Sequence, residues 1–219
     1  MHSSASTSAA GTRRYIVVEG PIGAGKTSLA RKLAYQLGGR ALLEAPDANP
    51  FLPVFYQDPP RYALSTQLFF LLQRVNQVRD LNQSDMFAHT TVSDFMLDKD
   101  PLFAAINLDP DELALYEGLY RHLQPHAPVP DLVIYLQASP GTLLERVRRR
   151  RVDYERGLAL DYLTRLSSAY ARFFHEYTAA PLLIVNSENL NFVDRDADFE
   201  LLLQRMRGLK GPREYFSLG

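Results

Sequence analysis

The 219-residue chain contains no cysteine. Disulfides, thiolate zinc sites and cysteine nucleophiles are excluded together. An excess of one charge is missing too. The 24 Lys and Arg against 25 Asp and Glu leave a formal net charge of −1, so no overall field draws in nucleic acid or an anionic membrane. No apolar run approaches the ~20 residues of a membrane-spanning helix. The small, polar first residues lack both the apolar segment of a secretion signal and the arginines of a transit peptide. The expectation is a cytoplasmic protein with no nucleic-acid or membrane partner. It has a disordered tail over 1–13, a single domain over 14–210 and a C-terminal tail over 211–219. With 46% hydrophobic residues, the chain is long enough to bury a full α/β core.

What is present begins with Gly20-Pro21-Ile22-Gly23-Ala24-Gly25-Lys26-Thr27, a phosphate-loop pattern. Before it runs the β-branched stretch Tyr15–Glu19, which reads as a buried strand. After it, Ser28 to Leu37 keeps a helical pattern through Leu29, Leu33 and Leu37. In that context the loop residues 20–28, through the backbone N–H groups of all but Pro21, and the helix N-terminus face a polyphosphate. Lys26 is placed to reach the β/γ-phosphates, and the Thr27 hydroxyl to hold Mg²⁺. ATP and Mg²⁺ are the cofactors this implies.

Further strands are expected at Ala41–Glu44, Thr90–Asp94, Leu132–Gln137 and Leu182–Asn186. Helical stretches alternate with them, among them Arg61–Leu81 and Leu160–Tyr177, each with an apolar stripe. Asp109-Pro110 and Ser139-Pro140 mark two more helix starts. The fold class is therefore α/β: a phosphate-loop NTPase fold with a parallel five-stranded sheet covered on both faces.

Acids stand at two strand ends. Glu44 closes the second strand and is placed at the ligand crevice, where a carboxylate can take a proton from an attacking hydroxyl. The alternative is an ordinary surface acid. Asp94 closes the third and reads either as a Mg²⁺ ligand or as a helix N-cap. On the long helix, Gln67 and Arg74 are seven apart with Phe70 between them, an arrangement able to read a nucleobase edge or to form a solvated helix margin. Glu145 to Arg151 holds five arginines in seven residues. Because the rest of the chain is not basic, this run reads as a lid over the phosphates rather than a nucleic-acid patch. The absence of any Asp three residues before a glycine argues against a GTPase switch.

From Tyr15 to about Met206 these residues resemble the deoxynucleoside kinases, the family of deoxycytidine, deoxyguanosine and deoxyadenosine kinases. The resemblance rests on Glu19 to Thr27, Glu44-Ala45-Pro46, Tyr56 eleven residues before Gln67, Arg74, and the lid Arg146–Arg151 with Glu155, Gly157 and Leu160–Leu163. It implies transfer of the γ-phosphoryl of ATP to the 5′-hydroxyl of a deoxynucleoside, with deoxyadenosine, deoxyguanosine or deoxycytidine ahead of thymidine. Glu44 is implied as the base, Lys26 and Arg146 as catalytic cations, and Arg150 as a phosphate ligand. Tyr56 and Glu155 are implied to hold the 3′-hydroxyl, Asp100 or Asp98 to pair with Arg74 (Asp100 being preferred), and Phe103 to stack on the base. A homodimer through the helices Arg61–Leu81 and Asp109–Leu123 is implied as well. Ser93-Asp94-Phe95 departs from the family's Glu/Asp-Arg-Ser: the arginine is gone, and Lys99 or a lid arginine is a candidate to replace it. A nucleoside monophosphate kinase, such as a thymidylate kinase, and a non-catalytic nucleotide-binding module stand as rivals. The first lacks basic residues to grip an acceptor phosphate, with only Arg61 near the first acid.

Overall fold

A computed structural model describes residues 14–83, 90–123 and 127–217; the expected N-terminal tail lies outside them. Among these residues six strands, β1 (Arg14–Glu19), β2 (Arg40–Leu42), β3 (Thr90–Ser93), β4 (Leu132–Gln137), β5 (Leu182–Asn186) and β6 (Arg213–Phe216), form one sheet in the order β2-β3-β1-β4-β5-β6. Every pairing is parallel. The expected count of five is thus one short. β6 lies within the stretch read as a tail. Arg213-Glu214-Tyr215-Phe216 has too little apolar character to read as a strand, and it becomes one by pairing along β5.

Among the described residues, eight α-helices connect and cover the strands: α1 (Lys26–Gln36), α2 (Leu52–Phe55), α3 (Pro59–Gln83), α4 (Asp100–Asn107), α5 (Pro110–Leu123), α6 (Pro140–Arg150), α7 (Leu160–Glu176) and α8 (Asp196–Gly208). The start signals behave as their chemistry demands. Asp109 Oδ1 accepts from the N–H groups of Asp111 and Glu112 at 3.0 and 2.9 Å, and Ser139 Oγ accepts from Thr142 N at 3.2 Å; each satisfies donors that a helix start leaves orphaned. No helix among the described residues is long and apolar enough to cross a membrane.

The central strands are buried on both sides. Val17, Val18, Val133, Ile134, Leu182 and Leu183 pack with Leu29 and Leu33 of α1, and with Leu163, Leu166 and Tyr170 of α7, in one continuous core. That packing fixes the strand ends rigidly, so the residues following β1, β2 and β3 converge at one edge of the sheet. Gly23 turns the first loop at φ 87°, and a Cβ there would lie 2.6 Å from the Leu143 carbonyl oxygen. Only glycine allows the loop to press this closely on α6.

Candidate active site

The loop after β1 leads directly into α1, whose first residue is Lys26. Lys26 Nζ donates to the carbonyls of Gly20 and Pro21 at 2.8 and 3.1 Å. Burial first, and then the nearby Lys99 ammonium, lower its pKa to about 8. Thr27 Oγ1 donates to Asp94 Oδ2 at 2.5 Å, while Asp94 Oδ1 accepts from the Glu44 N–H at 2.8 Å. Asp94 is therefore not a helix cap: the following turn, Leu97–Lys99, starts after Met96. It ties the ends of the loop, β2 and β3 together. Its carboxylate and the Thr27 hydroxyl are hard oxygen donors of the kind Mg²⁺ takes when most of its other ligands are phosphate and water. Among the described residues no group of three or more His, Cys, Asp or Glu side chains could hold a metal ion alone.

Glu44 follows β2. Its Oε1 accepts from Arg74 Nε at 2.6 Å and lies 3.0 Å from Lys99 Nζ. Burial alone would raise the pKa of this carboxyl, but Arg74, Lys99 and Lys26 outweigh it and bring it down to about 2. Arg74 Nη1 also donates to Asp100 Oδ1, so the partner is Asp100 and not Asp98. Asp100 is fully buried and backs Arg74; it does not line the cavity beside the loop.

This cavity of about 210 Å³ is lined by Lys26, Thr27, Glu44, Tyr56, Gln67, Phe70, Arg74, Asp94, Lys99, Phe103, Arg150 and Glu155, among others. Gln67, Phe70 and Arg74 face it together, as their spacing on one helix requires, and the Arg74 guanidinium lies 5.1 Å from the Phe70 ring centre. Thr66, which the sequence had not singled out, lines it too; its Oγ1 is buried with no hydrogen-bond partner among the described residues. Tyr162, within the Leu160–Leu163 motif, reaches the cavity from α7. Helical spacing beside Gln67 is the one signal that could have found Thr66.

A second cavity, of about 660 Å³, lies on the other side of the loop between Gly23, Arg146, Arg149 and the segment Ser187–Arg195. Gly23, Gly25, Ser28 and Arg150 line both cavities, so the two meet at the phosphate loop. Arg146 belongs to the second side only. Its Nη2 donates to the Ser187 carbonyl at 2.5 Å and Nη1 to Ser187 Oγ at 3.2 Å. Arg150 turns the other way, donating through Nε to Glu155 Oε2 at 2.6 Å and through Nη2 to Oε1. Burial pushes the Glu155 carboxyl up despite this ion pair. Tyr154 OH donates to Asp47 Oδ1 at 2.7 Å and its ring stacks on Tyr56, so the arginine-rich segment is fastened down across the first cavity.

A model of the deoxynucleoside kinase family matches residues 16–209. The chain is 32% identical over 205 residues to the deoxyguanosine kinase of Bacillus subtilis strain 168, covering 90% of this chain and 98% of that one. It is 34% identical over 192 residues to the deoxyadenosine kinase of Lactobacillus acidophilus, covering 81% and 87%. Among solved structures, the deoxyadenosine kinase from M. mycoides with the products dCMP and a flexible dCDP bound superposes with a TM-score of 0.78 at 23% identity, over 89% of this chain and all of that one. At that identity the superposition speaks for the fold.

Proposed function

The chain belongs to the deoxynucleoside kinase family, and from that premise we propose that it transfers the γ-phosphoryl group of ATP to the 5′-hydroxyl of a deoxynucleoside. The observation that carries the reading is two cavities meeting at one phosphate loop, with the Glu44 carboxylate on the acceptor side. ATP occupies the larger cavity and the nucleoside the smaller. Glu44 takes the proton of the 5′-hydroxyl as the new P–O bond forms and the bond to the leaving ADP breaks. Lys26 leaves the carbonyls of its own loop for the phosphates, and Arg146 and Arg150 offset the charge that develops on the transferring group. The Thr27 and Asp94 oxygens would hold Mg²⁺, which would supply positive charge against the phosphates of ATP. The negative charge of ATP also counters the cations around Glu44, raising its affinity for the proton when the hydroxyl arrives. Tyr56 and Glu155 hold the 3′-hydroxyl, Phe103 stacks on the base, and Gln67 with Arg74 reads its edge.

Deoxyguanosine and deoxyadenosine lead as substrates, since the relatives carry those names. Deoxycytidine follows and thymidine comes last, because an arginine–acid pair beside the base leaves little room for its methyl group. The test is ADP release with ATP, Mg²⁺ and a panel of nucleosides and monophosphates. Turnover with purine deoxynucleosides is expected; release with monophosphates alone would replace this reading with a monophosphate kinase, and release with neither would leave a binding module.

A homodimer belongs to the same proposal. Leu72 on α3 and Leu115 and Leu119 on α5 are exposed on neighbouring helices, and covering them needs a second surface. Light scattering is expected to report twice the 24.8 kDa chain mass; a monomer mass at micromolar concentration would remove the dimer. Cytoplasmic placement accompanies the reading, since ATP is a solute of that compartment.

A further inference from the structure

Lys99 is 2% exposed, and its ammonium sits between two carboxylates, 3.1 Å from Glu19 Oε1 and 3.0 Å from Glu44 Oε1. Burying an ammonium is costly unless it is paired, and here both partners come from elements that build the site. Glu19, the last residue of β1, is fully buried and tightly held. Its Oε2 accepts from the Gly20 N–H and from Tyr170 OH, each at 3.1 Å, and its Oε1 accepts from the Met96 N–H at 2.9 Å. Neither the phosphate-transfer step nor the base contacts use this carboxylate. It is a rigid post at the root of the phosphate loop.

At the other end, Glu44 Oε1 is engaged twice, by Lys99 and by Arg74 Nε. Glu44 Oε2 has no hydrogen-bond partner among the described residues, while its side chain faces the acceptor cavity. A carboxylate rotates easily about its last bond, and a base that can turn away spends part of its time out of line with the hydroxyl. Two cations on the same oxygen stop that rotation. They approach from different elements, Arg74 from α3 and Lys99 from the turn before α4, so together they define a plane that one contact could not.

We propose that Lys99 is a positioning residue: anchored on Glu19, it pins Glu44 Oε1 so that Oε2 is presented to the substrate hydroxyl, in register with the phosphate loop. The proposal rests on the kinase reading for its catalytic consequence, but the Lys99–Glu44 contact stands apart from it. Around this contact the charged and titratable groups are Glu19 from β1, Lys26 from α1, Arg74 from α3, Asp94 after β3, Asp100 from α4 and Tyr170 from α7. Removing Lys99 takes away one of the two cations held on Glu44 Oε1, so the carboxylate regains its rotation about the last bond.

The experiment compares Lys99→Met and Lys99→Arg with the wild type in two ways. In steady-state turnover, Lys99→Met is expected to lose about 10–100-fold in kcat, as a misaligned base does, with KM for the nucleoside moving less than about threefold. Lys99→Arg should recover most of the loss because it restores a donor to both carboxylates. In ¹³C NMR relaxation of the Glu44 side chain at neutral pH, the carboxylate end should become more mobile in Lys99→Met and return towards the wild-type behaviour in Lys99→Arg. Unchanged mobility of the Glu44 carboxylate in Lys99→Met overturns the proposal whether or not the wild type phosphorylates nucleosides. Parallel loss of ATP binding and kcat that Lys99→Arg does not relieve overturns it as well, because that is the signature of a merely structural lysine. A wild type without turnover, but with the expected change in Glu44 mobility, counts against the kinase reading and not against the contact.

Discussion

Glu44→Gln is expected to lower kcat by about 10²–10⁴-fold, the range associated with a general acid–base group. Glutamine is nearly isosteric, and its amide oxygen can still accept from Arg74 Nε and lie beside Lys99. The change therefore removes the proton acceptor and its charge while leaving the shape of the site in place. Binding of ATP, read on the far side of the loop, should move little, so the loss belongs to the chemical step. Nucleoside phosphorylation within about threefold of the wild type would take the base role away from Glu44. Stability carries a second signature. The folded-state pKa of Glu44 is about 2, below its ordinary 4.5. The group therefore stabilises the fold fully above pH about 4.5, and this contribution drains away as the pH falls from there through about 2. In Glu44→Gln that part of the acid loss should disappear, measurable as a shallower fall of Tm across the same window.

Arg74→Leu is expected to cost more in stability than any surface change. The guanidinium is nearly buried and bonded to both Glu44 and Asp100. Asp100 is fully buried, and its Oδ2 has no hydrogen-bond partner among the described residues even with Arg74 present. Without Arg74 the Asp100 carboxylate loses its ion-pair partner in an apolar setting, which typically costs 3–5 kcal/mol when one partner of a buried pair is removed. For a chain of this size each kcal/mol moves Tm by about 2–4 °C, so a drop of roughly 6–20 °C is expected by calorimetry. Adding Asp100→Asn should recover part of it, since a neutral amide is cheaper to bury than an unpaired carboxylate. The same double variant should stay impaired in turnover, because Glu44 has lost one of its two clamps. A melting point for Arg74→Leu within about 2 °C of the wild type would show that the pair does not hold this region together.

These two sites also show how far the residues could be read in a row. Leu132–Gln137 and Leu182–Asn186 fold over the very ranges their β-branched runs indicated, because a strand buried on both faces must be apolar throughout. β6 escaped notice because Arg213 and Glu214 are made extended by their neighbour β5 and not by their own character. Gln67 and Arg74 were legible as a pair, since one helix and a spacing of seven place them on one face. Which acid meets Arg74 was not. Asp98 and Asp100 differ only in where a short turn and the start of α4 point them, and that is set by packing against α3 and α7.

By itself the sequence determined the phosphate loop, the order of strands and helices, and the acids at the strand ends. Each of these depends on residues adjacent in the chain or repeated at a backbone period, so short-range geometry suffices. Only the tertiary structure decided that Asp94 ties Thr27 to Glu44, that Asp100 stands behind Arg74, and that Lys99 fills the space between Glu19 and Glu44. Those contacts join residues 26 to 80 positions apart. A buried charge takes as its partner whichever opposite charge packing brings within ~4 Å, and no spacing along the chain encodes that distance.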